Sequence, residues 1–252
     1  MDVKGRVIAI ASGKGGVGKT VLSIGLAQAL AEAGGTPLLI DADLGLANVD
    51  VQLGLPALQD LSDVMSGRAA LGQAGFAHPA GFRVLPGRSG SGSMAAMGDA
   101  GLAAMGALLA EARCRHSHIL LDMGGGVAPV QRHLVTMADL VLIVATEEPT
   151  SLTDAYAVLK LLRADRADAD ARLVANLAGA DAGQHVWRTL DTAARHFLGA
   201  GLPLAGCVRR DTRVPDAIRH QVPLLTRHPN CRAAEDIREL ARSLTAPVAI
   251  AA

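Results

Sequence analysis

The run Ser12-Gly13-Lys14-Gly15-Gly16-Val17-Gly18-Lys19-Thr20 constrains this chain more than any other segment. Gly13, Gly18, Lys19 and Thr20 give the spacing G-x-x-x-x-G-K-[ST] of a phosphate-binding loop. Residues 6–11, apolar after Arg6, read as a short buried strand, and residues 21–31 read as a helix. A strand that delivers a glycine loop onto a helix N-terminus turns backbone N–H groups towards an anion, and the helix dipole adds to the attraction. In such a cradle Lys19 would reach the β- and γ-phosphates, and the Thr20 hydroxyl would face Mg²⁺. The chain's lysines are Lys4, Lys14, Lys19 and Lys160, while arginine is plentiful. Two of those lysines fall in this loop, and an ammonium does not exchange freely with a guanidinium at a phosphate.

The rest of the chain alternates apolar runs with helical patterns. Strands are expected at residues 37–41, 82–85, 118–122, 140–145, 172–176 and 204–208. Helices are expected at 101–115, 151–163, 185–198, 214–220 and 231–244, with Thr150 or Ser151 capping the second of these. Residues 86–92 read as a loop. Continuous apolar strands between helices predict an α/β fold: one doubly wound, mostly parallel sheet of about seven to eight strands with helices on both faces. No Pro/Ser-rich linker divides residues 1–252, so a single domain is expected.

Composition excludes several functions. Aromatics make up 2% of the chain, too few for base-stacking platforms. Lys plus Arg equals Asp plus Glu at 24 each, so no global field draws the molecule to nucleic acid or anionic lipid. Cys114, Cys207 and Cys231 are far apart and odd in number, which fits a reducing compartment. The start of the chain lacks a secretion signal, and no apolar run reaches the ~18 residues of a membrane span. His116, His118 and His133 lack ligand-like spacing, and Tyr156, Trp187, Met94, Met97 and Met105 read as packing residues.

Carboxylates stand where the strands end. Asp122 closes an apolar strand before Gly124-Gly125-Gly126, the place of a carboxylate that holds Mg²⁺ beside the loop threonine. Asp41 ends the second strand, where it could add to the metal shell, and Asp43 lies two residues on, where it could orient an attacking water.

These residues together carry a family resemblance. Lys14-Gly-Gly-Val-Gly-Lys-Thr20 is similar to the deviant phosphate loop of the MinD/ParA ATPases, P-loop NTPases of the SIMIBI class. The segments 41–50, 85–90 and 146–156 resemble the FlhG (FleN/YlxH) branch, which regulates flagellar number and placement. The resemblance implies ATP or ADP with Mg²⁺ as cofactors, slow hydrolysis, and an ATP-dependent homodimer across which Lys14 reaches the partner's phosphates. It implies that Gly13, Gly15, Gly16, Val17, Gly18, Lys19, Thr20 and Val21 wrap the phosphates. Asp43 would position the water, Asn48 and Gly125 would lie in the two switch segments, and Thr20, Asp43 and Asp122 would serve the metal. Glu148 matches a glutamate that contacts nucleotide across the family dimer, Asn176 an adenine-reading asparagine, and the loop with Arg210 and Asp211 the other side of the base.

The chain departs from the family in four places. It begins at the first strand, without the DQAxxLR-type helix that stimulates a flagellar GTPase. Its last ten residues, 243–252, carry no charged side chain and contain Pro247, unlike a basic membrane-lying helix. Glu147 replaces a proline common before the matched glutamate, and arginine replaces a proline in the base-side loop at 209–213. The implied partners are a second copy and a flagellar GTPase or a transcription or assembly factor, in the cytoplasm or on the inner face of the membrane. A ParA-like DNA-partitioning or cargo-positioning ATPase remains an alternative, since arginines outnumber acids after Val208. So does a MinD-type division-site regulator. An iron–sulfur carrier would need paired cysteines that the chain lacks.

Overall fold

The computed structural model describes residues 4–43, 45–56, 59–87 and 98–245. Among these, β1 (Arg6–Ser12), β2 (Pro37–Ala42), β3 (Phe76–Ala77), β4 (Arg83–Leu85), β5 (His118–Gly125), β6 (Leu140–Ala145), β7 (Ala171–Asn176) and β8 (Leu204–Val208) form one sheet. Its order is β3-β4-β2-β5-β1-β6-β7-β8, parallel throughout except that β3 runs antiparallel to β4. The chain starts at β1, builds outwards through β2 and β4, returns to insert β5 beside β1, and then builds the other half from β6. Direction reverses at the centre, so the crevice for a ligand lies at the carboxyl ends of β1, β2 and β5. These are the ends that carry the glycine loop, Asp41 and Asp122.

Side chains alternate across the sheet and build two cores. Val7, Ala9, Ile40, Ile119 and Leu121 face one way. They meet α3 (Leu61–Met65), α4 (Asp99–Arg113), α5 (Pro129–Thr136), α6 (Pro149–Asp165) and α7 (Ala180–Leu198) through residues such as Met105, Leu134, Leu159 and Leu190. Ile8, Ile10, Leu39, Leu120 and Leu142 face the other way. They meet α1 (Lys19–Glu32), α2 (Val49–Leu53), α8 (Arg213–Arg219), α9 (Leu224–Arg227) and α10 (Arg232–Thr245). With both faces covered, the middles of the central strands are apolar on both sides, and polar residues such as Asp41, Asp122 and Asn176 come at or near the carboxyl ends. α1 lies between the sheet and α10, and is buried at Leu22, Leu26 and Leu30.

The expected strands and helices are present, most of them with shifted ends. β5 runs on to Gly125, three residues past Asp122, and α7 starts at Ala180. The expectation of a Thr150 or Ser151 cap is corrected. Glu148 is the cap residue and Pro149 opens the helix. The buried Ser151 hydroxyl accepts the Thr146 N–H instead (3.0 Å). Four short helices, α2, α3, α5 and α9, and the two-residue β3 carried no periodicity strong enough to predict them. The predicted loop beyond residue 87, Met94, Met97 and the tail beyond 245 lie outside the described residues. Trp187 packs on the first core, and its indole N–H donates to Leu202 O (2.8 Å).

Candidate functional site

The glycine loop leaves β1 and enters α1 through two left-handed residues, Gly16 (φ 77°) and Gly18 (φ 91°). Gly18 is the N-cap of α1 and offers no side chain, so the first N–H groups of the helix stay open to a ligand. A Cβ on Gly18 would also stand 2.5 Å from Asn176 Nδ2, so Asn176 and the loop close on each other. Asn176 is buried at the end of β7 and donates to Val17 O (2.7 Å).

Lys19 is buried at the floor of the loop. Its ammonium donates to Ser12 Oγ (2.8 Å) and Lys14 O (3.4 Å). Burial lowers its pKa, and the charges of Asp122 and Asp43 work against that shift. Asp122 accepts from Ser23 Oγ (2.8 Å) and from the Thr20 hydroxyl. Burial, helped by neighbouring Asp41, raises the Asp122 pKa to about 7 despite those donors and Lys19. A buried carboxylate held that high gains from a cation placed beside it. Thr20, Asp122 and Asp43 supply hard oxygen donors, the chemistry that suits Mg²⁺. Among the described residues no group of three His, Cys, Asp or Glu forms a cage, so phosphate oxygens would complete the shell of such a cation.

Asp41 does something other than the metal binding anticipated for it. Its carboxylate accepts the backbone N–H groups of Asp43 (3.1 Å), Asn48 (2.8 Å) and Val49 (2.9 Å). Burial raises its pKa to about 6. It is the post that holds the segment carrying Asp43 and Asn48. Asp43 accepts from the N–H groups of Gly45 (3.2 Å) and Leu46 (3.0 Å), which shapes the turn and leaves its carboxylate at the mouth of the crevice.

These parts enclose a cavity of about 780 Å³, within the range of small-molecule sites. Gly13, Gly15, Gly16, Gly18, Lys19, Thr20 and Val21 line it from the loop, Asp43 and Asn48 from the segment after β2, and Gly125 and Gln131 from the segment after β5. A second, mostly apolar cavity of about 50 Å³ adjoins it at Gly18 and Val21 and holds Asn176, Leu177, Val208 and Arg209. Leu177 is left-handed (φ 58°), an uncommon backbone state for a branched residue. Gly18 and Val21 line both cavities and form the border between them.

Six expected site residues line neither cavity: Val17 and Asp122 are buried beneath the surface of the crevice, and Lys14, Glu148, Arg210 and Asp211 lie beside it. Lys14 points its ammonium away, to Glu148 and to Thr150 Oγ1 (3.0 Å) of its own chain. Glu148 is exposed, and the Lys14 ammonium lowers its pKa. Arg210 and Asp211 line neither cavity; Asp211 accepts from the N–H groups of Arg213 (2.9 Å) and Ala233 (3.3 Å). Arg209 takes the wall position, its guanidinium fixed by Asp236 (2.7 Å). Sequence reasoning assigned no role to Ser12, Ser23 or Gln131, and within the loop 209–213 it singled out Arg210 and Asp211 rather than Arg209. Only Gln131 left a local signal, as the third residue of a helix opened by Pro129.

A family model described as the CobQ/CobB/MinD/ParA nucleotide-binding domain matches residues 8–224. The chain is 35% identical to the antiactivator FleN of Pseudomonas aeruginosa over 240 residues, 95% of this chain and 86% of that protein. It is 35% identical to the flagellum site-determining protein YlxH of Helicobacter pylori over 164 residues, 64% of this chain and 55% of that protein. In fold it is similar to the septum site-determining protein MinD of Pyrococcus horikoshii, solved in complex with Mg-ADP. The TM-score is 0.79 at 24% identity, covering 95% of this chain and 96% of the other. Loop, acidic strand ends and sheet order thus agree with a family match over most of its length, and the chain belongs to the CobQ/CobB/MinD/ParA family of nucleotide-binding domains.

Proposed function

We propose that this MinD/ParA-type ATPase is a nucleotide-driven switch that controls the number or placement of flagella. The observation that carries the flagellar reading is the 35% identity to the antiactivator FleN across 95% of the chain. The nucleotide reading rests on the crevice, where Lys19, Thr20 and Asp122 converge under an open helix N-terminus. Bound Mg²⁺ neutralises phosphate charge and draws electrons from the bond that breaks. Thr20, Asp122 and Asp43 are the residues that would hold it. Lys19 binds the terminal phosphates, the loop N–H groups orient them, and Asp43 positions the water. Asn176 and the apolar pocket around it receive the adenine.

In the ATP state two copies meet face to face. Lys14 leaves Glu148 and Thr150 and reaches the phosphates of the other copy. Hydrolysis removes the γ-phosphate contact and the copies part, so the nucleotide state becomes a partner-binding state. The partner is a flagellar GTPase or a transcription or assembly factor, and the working compartment is the cytoplasm. The test is to delete and to overproduce the gene in its own cell and count flagella and their positions. An altered number or position is expected. Unchanged flagella together with misplaced DNA or cargo would replace this reading with a ParA-like partitioning ATPase. Lys19→Ala should abolish ATP binding, and retained binding would sink the loop assignment.

A further inference from the structure

We propose that Gln131 is a second hydrolytic residue, which holds the attacking water together with Asp43. The inference rests on the reading of the crevice as an ATPase site. Asp43 comes from the segment after β2, and Gln131 from the first turn of α5 beyond β5. The two side chains converge over Gly124: a methyl group there would stand 2.7 Å from Gln131 Nε2 and 2.9 Å from Asp43 Oδ1. Only a residue without a side chain leaves that gap open, and both side chains line the same cavity as Lys19 and Thr20.

The two groups are complementary. A carboxylate only accepts hydrogen bonds, while the amide Nε2 only donates. One water can donate a proton to Asp43, accept from Gln131, and keep a lone pair for attack. In the step, the water oxygen forms a bond to the γ-phosphorus. The bond from that phosphorus to the β,γ-bridging oxygen breaks, and its electron pair leaves with ADP. The proton taken up by Asp43 passes to the released phosphate, so one ATP and one water give ADP and phosphate. Gln131 exchanges no proton; it fixes the direction of the lone pair.

Gln131 also caps its helix. Its Oε1 accepts the Ala128 N–H (3.2 Å), and its Nε2 makes one long contact to Gly125 O (3.3 Å). The cap therefore employs the oxygen, and the proposed role employs the nitrogen. Gln131→Glu keeps a cap acceptor and loses the donor, whereas Gln131→Ala loses both.

The experiment is single-turnover ATP hydrolysis at saturating Mg²⁺ by the parent, both Gln131 variants and Asp43→Ala. Affinities for a non-cleavable ATP analogue, and for ADP with and without aluminium fluoride, are measured alongside. Both Gln131 variants should hydrolyse roughly a hundredfold more slowly, within the usual range for a positioned acid–base or water contact. Analogue affinity and the melting temperature of Gln131→Glu should stay near the parent's, and the gain in ADP affinity from aluminium fluoride should disappear. A parent-like rate in either variant while Asp43→Ala is slow overturns the role of Gln131 alone. A parent-like rate in Asp43→Ala overturns the reading of the crevice on which it rests.

Discussion

At the scale of single residues, the crevice is a set of buried charges that are incomplete without a ligand. Asp122 shows this in its titration. Its pKa rises on folding from 3.8 to about 7, so the folded chain binds the proton more tightly than the unfolded one. The stability this adds is present below 3.8 and is lost as the pH rises through about 7. In the absence of nucleotide and Mg²⁺, Asp122→Asn should flatten the decline of the urea midpoint across that interval. A slope equal to the parent's would show that this carboxylate does not pay a desolvation cost. Ser151 gives a second prediction. Its hydroxyl is the acceptor for the buried Thr146 N–H, so Ser151→Ala should cost about 1–3 kcal/mol in urea unfolding.

At the scale of elements, the wall of the smaller cavity, where the base is proposed to bind, depends on α10. Ile237 is buried, lines the smaller cavity and packs at Gly25, where a Cβ would meet its Cδ1 at 2.9 Å. Ile237→Ala should therefore destabilise the fold by about 2–5 kcal/mol and weaken ATP binding, while tripolyphosphate binding holds. Equal loss of both ligands would place α10 away from the base. Elements also show what the sequence made legible. β6 and β8 are found at the residues their patterns predicted, because a short apolar run between helices has one reading in a covered parallel sheet. α2 is five residues long, too short for a 3.6-residue period to emerge. α5 follows Gly124-Gly125-Gly126 and has eight residues, and no helix was expected at its Pro129 start.

At the scale of the whole molecule, local spacing was enough to foresee the placement of Lys19 and Thr20 on the large cavity and of Asp122 on the strand beside α1. The contacts that finish the site join segments far apart in the chain. Ser23 to Asp122, Asn176 to Val17, and Gln131 with Asp43 over Gly124 depend on which strands become neighbours and where side chains point. Lys14 shows the same limit from the other side: spacing placed it in the loop, and the fold directs its ammonium to Glu148. Its release from that partner is the step that the proposed assembly needs. The most direct measurement is sedimentation velocity of Asp43→Ala with Mg²⁺ and saturating ATP or ADP. The account predicts a dimer with ATP, a monomer with ADP, and a monomer in both when Lys14→Ala is added. A monomer with ATP in the Asp43→Ala variant would contradict it.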